Sequence, residues 1–240
     1  MSDWDRQYNY EVKKMASVTV SGFLNCSDGT VIPLQNTSQA EGTEFTLQTN
    51  ATYTVTQQNV GDYAPGRTIL SASIQAPNGI SYAYILRQGL IAAILPVSVK
   101  GSSGAGAFPL CAAFTLQPGD QVRVLHLTAT ARNLAVCVYT NRGVSRIFTV
   151  TPSGAATNTP VDLQTGNSVG DTLQGQIVQK AFVTSVDGAK IDGGGCLMLN
   201  EAGTVSGGIP ANNPINGVVY YSMVAIPCAL NYDWTVVTTS

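Results

Sequence analysis

The sequence predicts an all-β protein, an antiparallel β-sandwich that follows an extended N-terminal arm. Three observations support this prediction. Apolar and polar residues alternate with a period of two in many short segments, which is the pattern of half-buried strands. Gly, Pro, Asn and Asp punctuate the chain between these segments, and no segment carries an unambiguous helical period. Short strands separated by turn signals are typical of sandwiches and barrels.

The chain divides into an arm at residues 1–15 and a β-sandwich domain at residues 16–240, with an optional sub-boundary near residues 96–108. The arm is rich in charged residues, but their charges sum to zero, so it is unlike a basic arm for nucleic acid. Aromatic side chains are enriched at the centres of protein interfaces. We therefore predict that the arm contacts a neighbouring subunit, and a frayed terminus is the alternative. The predicted subunit-interface residues are Trp4, Tyr8 and Tyr10.

The first predicted strands lie where β-branched and aromatic residues alternate with Thr, Ser and Gln, at residues 17–20, 45–48 and 52–56. Thr favours the exposed face because its branched side chain suits a pleated surface. Residues 80–99 fit either one apolar helix face or a hairpin whose loop is Arg87-Gln88-Gly89. The hairpin is favoured because the surrounding segments are all β.

The second half carries clearer turn signals. Pro118-Gly119 predicts a type II turn before a strand in which alternate residues share one face. A hairpin is predicted around residues 140–143, and Asp187-Gly188 predicts a two-residue turn. The last strands are expected at residues 218–226 and 232–238, and no exact internal repeat is apparent.

The composition excludes several classes of protein. Charged residues make up 11 % of the chain, against roughly 25 % in an average soluble domain. With 44 % hydrophobic residues and a net charge of −2, the chain is not a disordered segment, and a basic nucleic-acid module is not expected at a pI near 5.2. No apolar run reaches the length of a membrane span, so membrane insertion is not predicted. So little charge indicates a surface covered by uncharged polar groups or buried against other chains.

The cysteines and the N-terminus indicate a compartment. The first residues lack the basic and apolar regions of a secretory signal, so we expect synthesis and folding in a cytoplasm. The five cysteines are odd in number and widely spaced, which favours free, buried thiols over disulfides. A Thr-rich β composition is otherwise typical of extracellular proteins. A particle that assembles inside a cell and later leaves it has both traits.

Residues that carry chemistry are few. His126 is the only histidine, and no nucleophile elbow, phosphate loop or zinc motif is present. Asp187–Gly195 resembles a calcium loop but supplies too few carboxylates. We therefore predict no catalytic site, no metal site and no cofactor. Four arginines are candidates for contacts with nucleic acid or, as the favoured alternative, for solvated or intersubunit salt bridges. These are Arg123, Arg132, Arg142 and Arg146.

The segment Leu116-Gln-Pro-Gly-Asp-Gln-Val-Arg-Val124 is similar to turns in many β-sandwich and jelly-roll modules. Together with the arm and the Gly-, Thr- and Ala-rich loops, the chain resembles viral and phage virion proteins, either jelly-roll coat subunits or capsid cement subunits. The resemblance implies a jelly-roll-like sandwich in a virion, made in a host cytoplasm, that binds copies of itself and other virion proteins. It implies no catalytic residues. The neutral arm favours a cement subunit, or a coat whose genome contacts lie elsewhere.

A carbohydrate-binding or adhesive β-sandwich, such as a phage fibre tip or a lectin-like module, is the alternative. Aromatic rings supply stacking platforms for sugars in such modules. The candidate platforms are Tyr82, Tyr84, Tyr220, Tyr221, Tyr232 and Trp234.

Overall fold

Eight antiparallel strands in the first part of the chain form one sheet that curls into a nearly closed barrel. Their order is β6-β5-β8-β3-β2-β1-β4-β7, so β6 and β7 are the edges, and they approach each other across an open seam. A short helix, α1 (Val60–Tyr63), precedes β4. The strands are β1 (Ser17–Cys26), β2 (Val31–Ala40), β3 (Glu44–Thr49), β4 (Thr68–Gln75), β5 (Ile80–Arg87), β6 (Leu90–Leu95), β7 (Phe108–Thr115) and β8 (Gln121–His126).

The second part forms a five-stranded sheet, β12-β10-β9-β13-β16, and a four-stranded sheet, β11-β17-β14-β15. A second short helix, α2 (Val169–Leu173), precedes β13. The strands are β9 (Leu134–Thr140), β10 (Ser145–Val150), β11 (Thr157–Asn158), β12 (Val161–Asp162), β13 (Ile177–Ser185), β14 (Gly195–Leu199), β15 (Val205–Pro210), β16 (Ser222–Pro227) and β17 (Asp233–Val237).

This computed structural model confirms the all-β, antiparallel class. Within the part of the chain that it describes, the helices are confined to the two short turns α1 and α2. The described residues are 17–40, 43–49, 57–76, 80–97, 108–126, 134–150, 157–185, 195–199, 205–210, 222–227 and 233–237.

The two parts have the same strand order. If β11 and β12 together stand for β3, the second part is ordered β15-β14-β17-(β11, β12)-β10-β9-β13-β16, which matches the first part strand for strand. Each ladder described in the first part has a counterpart in the second. We call the two parts the N-terminal module (residues 17–126) and the C-terminal module (residues 134–237).

The pairing register is also shared. In the N-terminal module Leu24 pairs with Ile32 and with Ala72. In the C-terminal module Val138 pairs with Arg146 and Ala181 in the same way. A β-bulge follows Ile85 in the β5–β6 ladder, and one follows Met198 at the matching place in the β14–β15 ladder. The chain is therefore an internal duplication of one eight-stranded unit.

Each module is built from Greek keys. The order β4-β1-β2-β3 is that of a Greek key, in which three strands joined by hairpins are followed by one that returns beside the first. Across the seam, β8-β5-β6-β7 repeats the arrangement. A jelly roll also contains two Greek keys, but so do other β-barrels and sandwiches, and the jelly-roll form stays a prediction.

A short motif marks the same point in both modules. Val60-Gly61-Asp62 begins α1, and Val169-Gly170-Asp171 begins α2. Both valines are completely buried and anchor their helices in the cores. A Cβ on Gly61 would lie 2.0 Å from the Gln117 carbonyl oxygen, so only glycine permits the helix to approach the turn before β8. That turn is held by the Gly119 N–H, which donates to Asp62 Oδ1 at 2.8 Å.

Alternating residues of the N-terminal module's strands fill the barrel. The buried cluster includes residues from all of its eight strands and from α1. Examples that are essentially inaccessible to solvent are Leu24, Ile32, Leu47, Ile69, Ile85 and Val122.

Residues 80–99 do form a hairpin, β5–β6, which confirms the favoured interpretation. Its loop has two residues, since Arg87 pairs with Leu90, and Gln88 and Gly89 have φ values of 50° and 81°. Two positive φ values are typical of the type I′ turn, whose twist suits the adjoining strands.

The hairpin around residues 140–143 is confirmed as β9–β10, and a strand follows Pro118-Gly119 as predicted. Residues 96–108 connect β6 and β7 of one sheet, whereas the change of module falls between His126 and Leu134. Residues 52–56 and Asp187-Gly188 lie outside the described residues.

Candidate interaction surface

The two modules meet through an apolar interface between sheet faces. The N-terminal module contributes the outer face of β5, β6 and β8, here called the β5–β8 face, and the C-terminal module contributes the outer face of its first hairpin, the β9–β10 face. Burying one large apolar side chain stabilises by about 1.5–3 kcal/mol, so this cluster holds the modules together. The buried members are Tyr82, Tyr84, Ile91 and Ile94 on the β5–β8 face and Ala135, Cys137 and Ile147 on the β9–β10 face.

Strand periodicity explains how each face is built. In β5, Ala83 and Ile85 belong to the barrel core, so Tyr82 and Tyr84 point to the other side of the sheet. In the C-terminal module, Cys137 pairs directly with Ile147, and both belong to the interface. Both faces of β5 and of β9 are therefore buried. Antiparallel sheets commonly have one face on the core and the other in solvent, so burial on both faces is unusual.

The two interface tyrosines also belong to a polar network. Tyr84 donates its hydroxyl hydrogen to Glu44 Oε1 at 2.9 Å, and Tyr82 donates to Oε2 of the same carboxylate at 3.3 Å. Arg123 Nε donates to Glu44 Oε1 at 2.9 Å, and Arg123 Nη1 donates to Thr46 Oγ1 at 2.8 Å. Burial, and then the neighbouring Glu44 charge, raise the pKa of both tyrosines.

This network bears on the sugar-binding alternative. The exposed fractions of Tyr82 and Tyr84 are 4 % and 6 %, so neither ring offers a face to a sugar. The side chains of Tyr220, Tyr221, Tyr232 and Trp234 lie outside the described residues, and their proposed stacking role stays a prediction.

Polar side chains of the C-terminal module bind backbone groups of the two edge strands of the N-terminal module. Lys180 Nζ donates to the Cys111 carbonyl oxygen on β7 at 2.5 Å. Gln164 Nε2 donates to the Gly89 carbonyl at 3.0 Å, and its Oε1 accepts from the Ile91 N–H at 3.4 Å. Covering an edge in this way protects it from pairing with foreign strands.

A cavity of about 240 Å³ lies at the seam. Its walls are formed by β6, β7 and the β9–β10 hairpin, and small residues such as Ala92 and Ala112 leave the space. Cys111 contributes its thiol to the wall of this cavity. Burial raises the pKa of the Cys111 thiol to about 11. A thiol with that pKa is protonated at neutral pH and is a poor nucleophile.

The three predicted arginines that the structure describes bind different partners. Arg123 lies in the N-terminal module, paired with Glu44. Arg146 lies in β10, with Nε 3.6 Å from Asp162 Oδ2 and Nη1 donating to Gln164 Oε1 at 2.7 Å. Arg142 is exposed in the β9–β10 turn and donates to the Gly175 carbonyl at 3.1 Å. The salt bridges of Arg123 and Arg146 are thus within the chain, and contacts to nucleic acid or to other subunits stay a prediction.

The remaining predicted interface residues, Trp4, Tyr8, Tyr10 and Arg132, lie outside the described residues, as does the side chain of His126. Among the described residues, no three His, Cys, Asp or Glu side chains gather as a metal site would require. The two helices described are also too short to cross a membrane.

Sequence reasoning missed a second apolar surface, the outer face of the first hairpin, here called the β1–β2 face. Its central residues are Phe23, which is partly exposed, Val31, which is 54 % exposed, and Pro33, which is exposed. The available signal was the unbroken apolar run from Val31 to Leu34, because such a run indicates a strand that is covered on both faces.

No family model, curated protein or solved structure matches the chain. The geometry of the described residues is therefore what supports a function.

Proposed function

We propose that the protein is a structural virion protein, a capsid coat or cement subunit that assembles by lateral contacts with copies of itself and with other virion proteins. One observation carries the proposal. Two like modules already associate side by side through sheet faces within one chain, and the contact is apolar at its centre. Shell subunits associate in the same lateral manner, so this unit is suited to repeated packing.

The distribution of charge supports the proposal. Four ion pairs within the described residues occupy charged side chains inside the chain itself. Some strands carry exposed apolar residues, among them Val31 and Leu70. Single exposed apolar residues are ordinary, but Val31 lies beside Pro33 and Phe23 on one face. Such a face is suited to burial against protein rather than to solvation.

The proposal is tested by following the mass of the purified full chain over a wide range of concentrations, by light scattering after size exclusion and by negative-stain microscopy. We expect oligomers or closed particles that grow with concentration, above the 25.1 kDa monomer. A monomer at every concentration, with no binding to particles purified from the same source, would overturn it.

A further inference from the structure

The interface between the modules joins two different faces of the same kind of unit. The N-terminal module uses its β5–β8 face, and the C-terminal module uses its β9–β10 face. Because the modules share one strand order and register, each also possesses the counterpart of the face that the other uses. A contact between unlike faces is heterologous, and a heterologous contact can repeat from unit to unit.

The counterpart of the β9–β10 face is the β1–β2 face. In the shared register Phe23 stands where Cys137 stands, since Phe23 pairs with Pro33 as Cys137 pairs with Ile147. Val31 matches Ser145, since these residues pair with Asn25 and Tyr139, which also match. Within the described residues Val31 and Pro33 are exposed, so the central apolar residues of this face are uncovered in the N-terminal module, where the polar Asn25 and Ser71 lie beside them.

The counterpart of the β5–β8 face is the face of β14, β15 and β17 that carries the matching register positions, here called the β14–β17 face. Tyr82 pairs with Leu125, and Gly195 pairs with Val237 at the matching place. Tyr84 is matched by Leu197, which pairs with Thr235 as Tyr84 pairs with Arg123. The positions Gly195, Leu197, Thr235 and Val237 are uncharged, and Asp233 takes the next position of this face, since it pairs with Leu199 as Gln121 pairs with Leu86.

We propose that the β1–β2 face of one copy binds the β14–β17 face of a second copy, so that chains join head to tail in the way that the two modules join within one chain. The proposal deepens the function proposed above and rests on it, because it names the partner and the contact of the lateral assembly. Repetition of this contact gives a ring if the rotation closes and an open row if it does not.

The contact between copies is expected to be weaker than the contact within the chain. Lys180, which binds the edge of β7, is matched in the N-terminal module by Ser71, which instead accepts a hydrogen bond from Asn25 at 2.8 Å. The intermolecular contact therefore lacks one charged anchor, and assembly should depend on concentration.

Two blocking variants test the direction of the contact. Val31→Lys places a charge on the β1–β2 face, and Leu197→Lys places one on the β14–β17 face. Because a buried unpaired charge opposes association strongly, each variant alone should need at least tenfold more protein to associate. Each retains one intact face, so an equimolar mixture should form a 1:1 dimer that grows no further. Val161→Lys on β12, at a valine 42 % exposed and outside both faces, is the matched control and should assemble like the wild type.

The outcomes separate this inference from the proposed function. If wild-type protein is a monomer throughout, both fail. If wild-type protein assembles and either blocking variant assembles equally well, or if the mixture stays monomeric, the head-to-tail contact is wrong and lateral assembly stands. Circular dichroism and melting monitor folding, and Gly195→Lys, at the position that matches Tyr82, replaces Leu197→Lys if that variant loses its sheet signal.

Discussion

Arg87 and Asp120 form an ion pair with two parallel hydrogen bonds, in which Nε donates to Oδ1 at 2.8 Å and Nη2 donates to Oδ2 at 2.7 Å. The Asp120 side chain is completely buried, and its Oδ2 also accepts from the Gln117 N–H at 2.8 Å. The Arg87 guanidinium lies 4.5 Å from the centre of the Phe114 ring. The pair thus ties the β5–β6 hairpin to the turn before β8.

Removing Arg87 should destabilise the fold because it leaves the Asp120 charge buried without its cationic partner. We expect Arg87→Ala to lower the free energy of unfolding by about 3 kcal/mol, the low end for breaking a buried pair, since a quarter of the Arg87 side chain is exposed. Urea denaturation followed by circular dichroism measures the change. Arg67→Ala is the control, since its ion pair with Asp28 is exposed to solvent and should contribute much less to stability. Equal losses for the two variants would contradict the assignment.

Replacing Gly61 should be costly because its added Cβ would collide with backbone. The nearest atoms would be the Gln117 carbonyl oxygen at 2.0 Å and the Asp120 nitrogen at 2.5 Å, and neither is the end of a flexible side chain. We expect Gly61→Ala to lower the free energy of unfolding by about 3 kcal/mol, the upper end of the usual range for overpacking. Thermal melting and urea denaturation measure it.

Gly29→Asn is the control for this substitution. Gly29 has φ +81° with open space around its Cβ position, and Asn tolerates that backbone conformation, so its effect should stay small. A Gly61→Ala variant as stable as Gly29→Asn would contradict the close approach of α1 to the turn.

The strands were predictable from the sequence, whereas the duplication was not. The alternation of apolar and polar residues along β3 and the Pro118-Gly119 turn are local signals. Each of them can be recognised without the rest of the chain. The duplication is seen in the hydrogen-bond register of the strands, and many different side chains are compatible with one register. For example, Ile32 and Arg146 occupy one matched position. Its clearest trace in sequence is the Val-Gly-Asp motif, where close packing restricts the residue type.

The interaction surface was only partly predictable. The sequence placed Tyr82 and Tyr84 in a possible strand. Their burial, however, depends on a module whose strands lie far away in sequence. The sequence shows that Arg123 is charged but not which residue it pairs with. Its partner Glu44 lies in β3, and only the Greek-key order brings β3 beside β8. Non-local pairing of this kind leaves no local pattern.

High pH should destabilise the protein through the two interface tyrosines. Because burial raises the pKa of Tyr82 and Tyr84 in the folded state, the unfolded chain loses these protons first, near its ordinary tyrosine pKa of about 10. The unfolded state then binds fewer protons than the folded state, so the free energy of unfolding falls as pH rises above about 10 and is fully retained below it.

Absorbance at 295 nm, recorded as pH rises, measures the ionisation of the ten tyrosines. We expect a late rise in this absorbance that begins only when the circular dichroism signal of the folded protein is lost. This late rise should be missing from a Tyr82→Phe, Tyr84→Phe double variant. Tyr63→Phe, at a tyrosine 40 % exposed, is the control and should keep the late rise. Ionisation of all tyrosines near pH 10 in folded protein would contradict the prediction.

The arm at residues 1–15 should act in assembly and not in folding. The N-terminal module has a core cluster of its own, with members from all of its eight strands and from α1. Aromatic residues bury a large area with few rotatable bonds, which makes them frequent interface anchors. We therefore expect deletion of residues 1–14 to weaken self-association at least tenfold, as measured by light scattering, with the melting temperature unchanged. Alanine at Trp4, Tyr8 and Tyr10 should reproduce the loss, and alanine at Lys13 and Lys14 should not. Oligomers of unchanged size after the deletion would show that the arm takes no part in the assembly contact, and that the sheet faces alone hold the subunits together.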